Sequence, residues 1–269
     1  MFKQRALTAL VFVPLVLIMG YLGGLPFDLF WAVVLAFGGF EFARMARGAG
    51  FQISYYLAIG LILCVSLIRS LGLFADILIF PLILFISLAY GLWQFEKGNE
   101  KALWNVILHV LAAIYIGVLG SFALSMNEGW LKGNWYLLLT IVLIWLVDAG
   151  AYLIGSHFGK RALLPRLSPK KTLEGFLGGT AVGILGGFLL GWILKEQLPY
   201  ITPWKGALLG GIMGPVAFIG DAMMSLIKRT LAVKDTGSLI PGHGGVLDRL
   251  DSMLWAMAIG YYFFIIFGS

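Results

Sequence analysis

Charge is scarce in this sequence: only 12% of its 269 residues are charged, while 60% are hydrophobic. A soluble domain of that size could not cover itself with polar surface, and the mean hydropathy of +0.94 agrees. Cysteine is nearly missing too. The single Cys64 lies inside an apolar run, so no intrachain disulfide can form and redox usage says nothing of compartment. No second His or Cys stands at zinc-ligand spacing from any of the three histidines, so a zinc site is not expected. Internal repeats, low-complexity tracts and a stretch long enough for a separate soluble domain are also absent.

What the chain has instead is length in apolar runs. About nine segments approach the 20 residues that a helix needs to cross the roughly 30 Å hydrocarbon core. Their cores are 6–24, 28–46, 53–73, 76–94, 103–125, 135–157, 174–194, 205–226 and 250–268. The runs are continuous rather than alternating, so a barrel is excluded and helices remain. The expected fold is all-α, a polytopic integral membrane protein of about nine helices. Lys3 and Arg5 precede the first run as in a signal peptide, but the run is too long for one and lacks a small-x-small cleavage site. It reads as a retained helix.

Basic residues set the expected orientation. With the N-terminus and the even-numbered loops on one face, that face holds 15 Lys and Arg and the other holds 4. The positive-inside rule makes the richer face cytoplasmic, and an odd helix count puts the C-terminus on the opposite side. The expected location is the cytoplasmic (inner) membrane, with the active site facing the cytoplasm.

Chemistry is unevenly spread along the chain. Residues 1–130 have short polar connections and suit a scaffold, whereas 131–269 carry most of the polar chemistry. The loop 159–172, GKRALLPRLSPKKT, is strongly basic, and the stretch 225–251, SLIKRTLAVKDTGSLIPGHGGVLDRLD, is polar and glycine-rich between two apolar runs. Between those stretches Gly183, Gly187 and Gly191, then Gly206, Gly210 and Gly214, recur at four-residue spacing. Such spacing lets helix backbones approach closely in lipid.

Acids are costly inside a membrane and usually face a cavity or a partner. Asp148 and Asp221 each lie late in an apolar run, near the predicted cytoplasmic interface, and Asp248 and Asp251 share one face at the start of the last run. A helix dipole accounts adequately for Asp251 but disfavours Asp221 near a helix C-terminus. A divalent cation held between Asp221 and Asp248 would relieve that penalty, and hard oxygen ligands favour Mg²⁺. Arg44, Arg47, Lys97 and Lys101 are explained as topology-setting flanks. The cations of SPKKT and SLIKR, by contrast, accompany Ser168, Thr172, Gly242, Gly244 and Gly245, types that bring hydroxyls or bare backbone to an anion. A phosphate site follows. Of the histidines, His109 reads as a hydrogen-bonded core residue, His157 suits a helix C-terminus, and His243 in PGHGG is a candidate phosphate contact or acid. A carboxylate pair for a divalent metal, a basic and glycine-rich loop set and an interfacial location together suit phosphoryl or nucleotidyl transfer to or from a lipid phosphate.

The stretch from Ser225 to Asp251, through Lys228, Arg229, Lys234, Asp235, Gly237, Pro241, His243, Gly244, Gly245, Asp248 and Arg249, resembles position for position the signature of the phosphatidate cytidylyltransferase family. The segment 148–175 is similar to the family's second motif block. Residues 1 to about 130 resemble it in hydropathy alone. The resemblance implies the reaction of CTP with phosphatidic acid to give CDP-diacylglycerol and pyrophosphate, with Mg²⁺, in a membrane-embedded homodimer; nucleic acid is not an expected partner. It implies a metal on Asp221 and Asp248 and catalytic roles around Lys228, Arg229, Asp251 and His243. Ser168, Lys170, Lys171, Thr172, Ser225, Lys234, Gly244, Gly245, Arg249 and Asp148 are expected around the nucleotide, with Asp148 binding a second cation or ordering a basic side chain. Two rival classes are an enzyme using another lipid phosphate and an ion-coupled transporter. The transporter is disfavoured because its acids would lie near the midplane within inverted repeats.

Overall fold

The computed structural model describes residues 2–70, 76–128, 134–237 and 244–268. His243, Gly242 and Pro241 fall outside the described residues. The order of elements is α1 (Phe2–Leu22), α2 (Gly24–Gly48), α3 (Tyr55–Ser70), α4 (Asp76–Glu96), α5 (Ala102–Ala112), a π-helical turn (Ala113–Val118) and α6 (Leu119–Glu128). There follow α7 (Asn134–Phe158), β1 (Ala162–Leu164), β2 (Ser168–Thr172), α8 (Leu173–Ile193), α9 (Pro203–Thr230) and α10 (Leu247–Phe267). Among the described residues, each apolar segment read from the sequence is largely helical. Among the described residues seven helical spans are long and apolar enough to cross a membrane, and two shorter apolar helices, Leu10–Leu22 and Tyr55–Arg69, correspond to the first and third segments. The protein is a helical, polytopic membrane protein.

The basic loop 159–172 departs from an all-helical chain. It forms a two-stranded antiparallel hairpin, with Ala162 opposite Thr172 and Leu164 opposite Ser168. Thr172 then caps α8, its hydroxyl accepting from Gly175 N at 3.2 Å. Glu174, in the first turn of α8, accepts the amides of Lys160 and Arg161 at 2.9 and 3.1 Å, which ties the start of the hairpin to the helix it precedes.

The chain divides into two compact units, Met1–Glu128 with Thr230–Asp248, and Gly129–Arg229 with Arg249–Ser269. The first is built around α2, whose Phe27, Trp31, Leu35 and Phe42 are fully or almost fully buried at helical spacing. Trp31 Nε1 donates to Gly120 O at 2.8 Å, in the turn after the π-helical residues. A second apolar cluster joins Leu61 and Val65 of α3 to Ile79, Ile83 and Ala113. His109 is a satisfied core residue: its Nε2 accepts from Ser54 N at 3.1 Å while Nδ1 faces Asn105 O at 2.7 Å, which places the proton on Nδ1.

In the second unit α8 runs between α7 and α9 on a stripe of buried glycines, Gly175, Gly179, Gly183, Gly187 and Gly191. A Cβ on Gly179 would come within 2.8 Å of Val147 O on α7, and one on Gly183 within 2.6 Å of Gly210 O on α9. The four-residue spacing therefore does what it promised, bringing backbones into contact where a side chain would keep them apart. At the other end of α9, a Cβ on Gly220 would meet Asp251 O at 2.7 Å, so α10 is equally close there.

Candidate active site

Three of the predicted acids meet in the second unit. Asp148 projects from α7, Asp221 from α9 and Asp251 from α10, and Asp221 lies within electrostatic range of both others. Lys171 and Arg249 lie within the same range of Asp148, and Lys228 of Asp251, each opposing the repulsion between the acids. Lys171 Nζ pairs directly with Asp221 Oδ2, the lysine side chain 20% and the aspartate 41% exposed. Ser252 Oγ donates to Asp148 Oδ2 at 2.9 Å. The main-chain amide of Ser252 donates to Asp251 Oδ1 at 2.8 Å. Asp148 itself is exposed. Asp148 and Asp221 thus keep part of their surface exposed, while Asp251 is half-buried behind them in the cluster.

Local structure explains who joins this cluster. Successive side chains of a strand point to opposite faces. Lys171 accordingly turns to Asp221 and lies 5.7 Å from the centre of the Phe218 ring, while Lys170 is exposed. On α9, Asp221, Ser225 and Lys228 are spaced i, i+4 and i+7 and share a face; Arg229, one position further round, is exposed. Ser168 is half-buried on β2, and Thr172 spends its hydroxyl on the α8 cap.

The remaining signature residues form a network in the first unit. Asp248 Oδ2 accepts from Thr236 N at 3.0 Å, Thr236 Oγ1 at 3.1 Å and Gly245 N at 3.0 Å. Gly244 adopts φ +84°, and a Cβ there would lie 2.8 Å from Asp248 Oδ2. Lys234 is exposed. A cavity of about 290 Å³ opens beside these residues, lined by Arg44, Met45, Gly48, Val233, Asp235, Thr236 and Gly237.

Sequence reasoning missed the acid at the heart of this network. Glu41, on α2, is 1% exposed. Its Oε1 accepts Val246 N at 2.9 Å, and its Oε2 accepts Leu247 N at 2.9 Å and Thr236 Oγ1 at 3.0 Å. Ser252, Thr236 and Glu174 also went unnoticed, each an ordinary polar residue whose partner is distant or on an adjoining element.

The two carboxylates expected to share a metal fall in different units, Asp221 in the second and Asp248 in the first. Among the described residues no three His, Cys, Asp or Glu side chains form a ready metal cage. Mg²⁺ commonly uses one or two carboxylates and takes its other ligands from water and substrate phosphates. The all-oxygen donor set fits the same ion.

Comparison with known proteins decides what this chemistry belongs to. A family model described as the cytidylyltransferase family matches residues 3–267. The chain belongs to that family. Phosphatidate cytidylyltransferase of Bacillus subtilis is 31% identical over 268 residues, 98% of each chain. The proteins of the same name from Synechocystis and Pseudomonas aeruginosa are 33% and 34% identical, over 98% and 96% of this chain and 96% and 95% of their own. The similarity to these cytidylyltransferases includes the N-terminal half, which the sequence alone tied to the family only through hydropathy. As a member of the cytidylyltransferase family the protein is an enzyme, and the acid and base cluster on α7, β2, α9 and α10 is its candidate catalytic centre.

Proposed function

We propose that the protein transfers the cytidylyl group of CTP to phosphatidic acid, forming CDP-diacylglycerol and pyrophosphate. The observation that carries this reading is the Lys171–Asp221 pair with Asp148 and Asp251 beside it, polar chemistry drawn from three membrane helices and a hairpin in a member of the cytidylyltransferase family. The names of its full-length relatives point to the same acceptor.

An oxygen of the lipid phosphate attacks the α-phosphorus of CTP in line. The new P–O bond forms as the bond to the oxygen bridging the α- and β-phosphorus breaks, and pyrophosphate leaves with the electron pair. No general base is needed, because a phosphate monoester is already ionised near neutral pH. Lys171, Lys228, Arg229 and Arg249 neutralise the triphosphate and the leaving group, with Lys170, Ser168, Thr172, Ser225, Lys234 and Gly244 around the nucleotide. Asp221 and Asp248 would hold Mg²⁺, with Asp148 serving a second cation or a basic side chain; a bound Mg²⁺ supplies charge neutralisation and fixes phosphate orientation. His243 contributes a phosphate contact or an acid. The enzyme works as a homodimer in the cytoplasmic membrane with this chemistry on the cytoplasmic side, where CTP is available, a placement favoured by its distribution of basic residues.

The test of acceptor identity is mass spectrometry of lipid products from purified protein supplied with CTP, Mg²⁺ and either phosphatidic acid or an isoprenyl phosphate. CDP-diacylglycerol as the main product supports the reading. A cytidylylated isoprenoid with no CDP-diacylglycerol would assign a different lipid phosphate.

A further inference from the structure

Helix α10 begins at Leu247, directly after the signature's glycines. A helix start leaves amides without intrahelical partners, and they must be satisfied elsewhere. Here two acids take three consecutive amides at that start. The amide of Gly245 is taken by Asp248, from within α10 itself, and those of Val246 and Leu247 are taken by Glu41, from α2. A carboxylate suits that position because it meets the positive end of the helix dipole. Glu41 also accepts from Thr236 Oγ1, which lies on the segment that follows α9. One side chain of the N-terminal region therefore holds Thr236 together with Val246 and Leu247.

The glycines on either side make room for it. A Cβ on Gly237 would come within 2.7 Å of Glu41 Oε1, and a Cβ on Gly245 would collide with Thr236 Oγ1 and both oxygens of Glu41. The anion that these two signature glycines admit to the backbone is the protein's own carboxylate. Thr236 links the two acids: its hydroxyl lies 3.0 Å from Glu41 Oε2 and 3.1 Å from Asp248 Oδ2, and its single proton can serve one of them at a time.

We infer that Glu41 is a positioning residue for the cytidylyl transfer, fixing Thr236, Val246 and Leu247 and, through Thr236 and the α10 N-terminus, the carboxylate of Asp248. The inference rests on the proposed reaction for its kinetic consequence, though not for its geometry. Glu41→Gln keeps the shape but turns one oxygen into an N–H donor facing buried donors, so the clamp cannot close. Misplacing a reacting group by about 1 Å costs on the order of 10²-fold in rate, and an effect on position rather than on binding falls on kcat.

The experiment compares wild type, Glu41→Asp, Glu41→Gln, Thr236→Val and the Glu41→Gln/Thr236→Val double variant in detergent. Its readouts are kcat, the KM for CTP and amide hydrogen exchange. The expected result is a kcat for Glu41→Gln lowered on the order of 10²-fold with the KM for CTP within about threefold, and partial recovery in Glu41→Asp. The double variant should lose less than the two single losses multiplied together, because both substitutions break the Glu41–Thr236 contact. Exchange should quicken at 245–248 while α3 and α5 stay protected. Wild-type kcat in Glu41→Gln, losses that multiply in the double variant, or faster exchange throughout the first unit would each overturn the positioning role. If folded wild type makes no CDP-diacylglycerol, the reaction assignment fails, and the exchange measurement still decides whether Glu41 holds Val246 and Leu247.

Discussion

Ser252 Oγ donates to Asp148 Oδ2 at 2.9 Å, joining residues 104 positions apart on α10 and α7. The serine is 5% exposed, so water cannot readily replace it. Hydrogen bonds to charged groups contribute about 1.5–3 kcal/mol. Ser252→Ala should lower both the melting temperature and turnover, and Ser252→Thr, which keeps the hydroxyl, should retain more of each. Equal turnover in all three proteins would detach this contact from catalysis.

Lys171 and Asp221 call for the opposite pattern. Their side chains are partly exposed, and pairs of that kind contribute about 0–1 kcal/mol to stability. Lys171→Met is expected to melt within a few degrees of wild type yet lose at least about tenfold in kcat/KM for CTP, because a phosphate-neutralising cation has gone. Lys170→Met, on the exposed face of the same strand, should cost less. A variant of Lys171 that unfolds but keeps its activity per folded molecule would assign the pair to structure.

Close backbone contact gives a steric prediction for α8 and α9. Gly183→Ala puts a methyl group 2.6 Å from Gly210 O, whereas Gly211→Ala meets Ile184 Cγ1 at 3.4 Å, an ordinary contact. Overpacking costs about 1–3 kcal/mol. Thermal unfolding in detergent should show a clear loss for the first and little change for the second, and equal melting temperatures would contradict the packing described.

The positive-inside argument is open to chemical labelling. In a Cys64→Ser background, single cysteines replacing Lys160 and Lys195 lie at opposite ends of α8. An impermeant thiol reagent applied to intact cells should modify position 195 and spare position 160 until the membrane is opened. The reverse pattern would invert the orientation.

Much of this was legible in the sequence, for physical reasons that also mark the limits. Long continuous apolar runs announced membrane helices, of which seven are long enough to span among the described residues, and Gly183, Gly187, Gly206 and Gly210 announced a backbone contact because only a missing side chain permits one. Asp148, Asp221 and Asp251 stood out because a carboxylate in an apolar run demands explanation. Glu41 did not stand out. It sits in GGFEFARM, close to Arg44 and Arg47 at a helix end, where an acid resembles an ordinary interfacial flank. Its partners are 195 to 206 positions away. The hairpin was hidden for a different reason: a three-residue strand gives too short a pattern to distinguish from a loop, and with it went the distinction between Lys170 and Lys171.

The most direct test follows the label of CTP marked at its α-phosphorus, with phosphatidic acid as acceptor, in the presence of Mg²⁺ or of a chelator, for wild type and Asp221→Asn. The account predicts that label passes into the lipid fraction while pyrophosphate is released unlabelled, and that chelation or the substitution abolishes transfer in protein that still folds. Folded wild type that leaves all label in the aqueous phase would contradict cytidylyl transfer to lipid, and an Asp221→Asn variant of full activity would contradict the place given to that carboxylate.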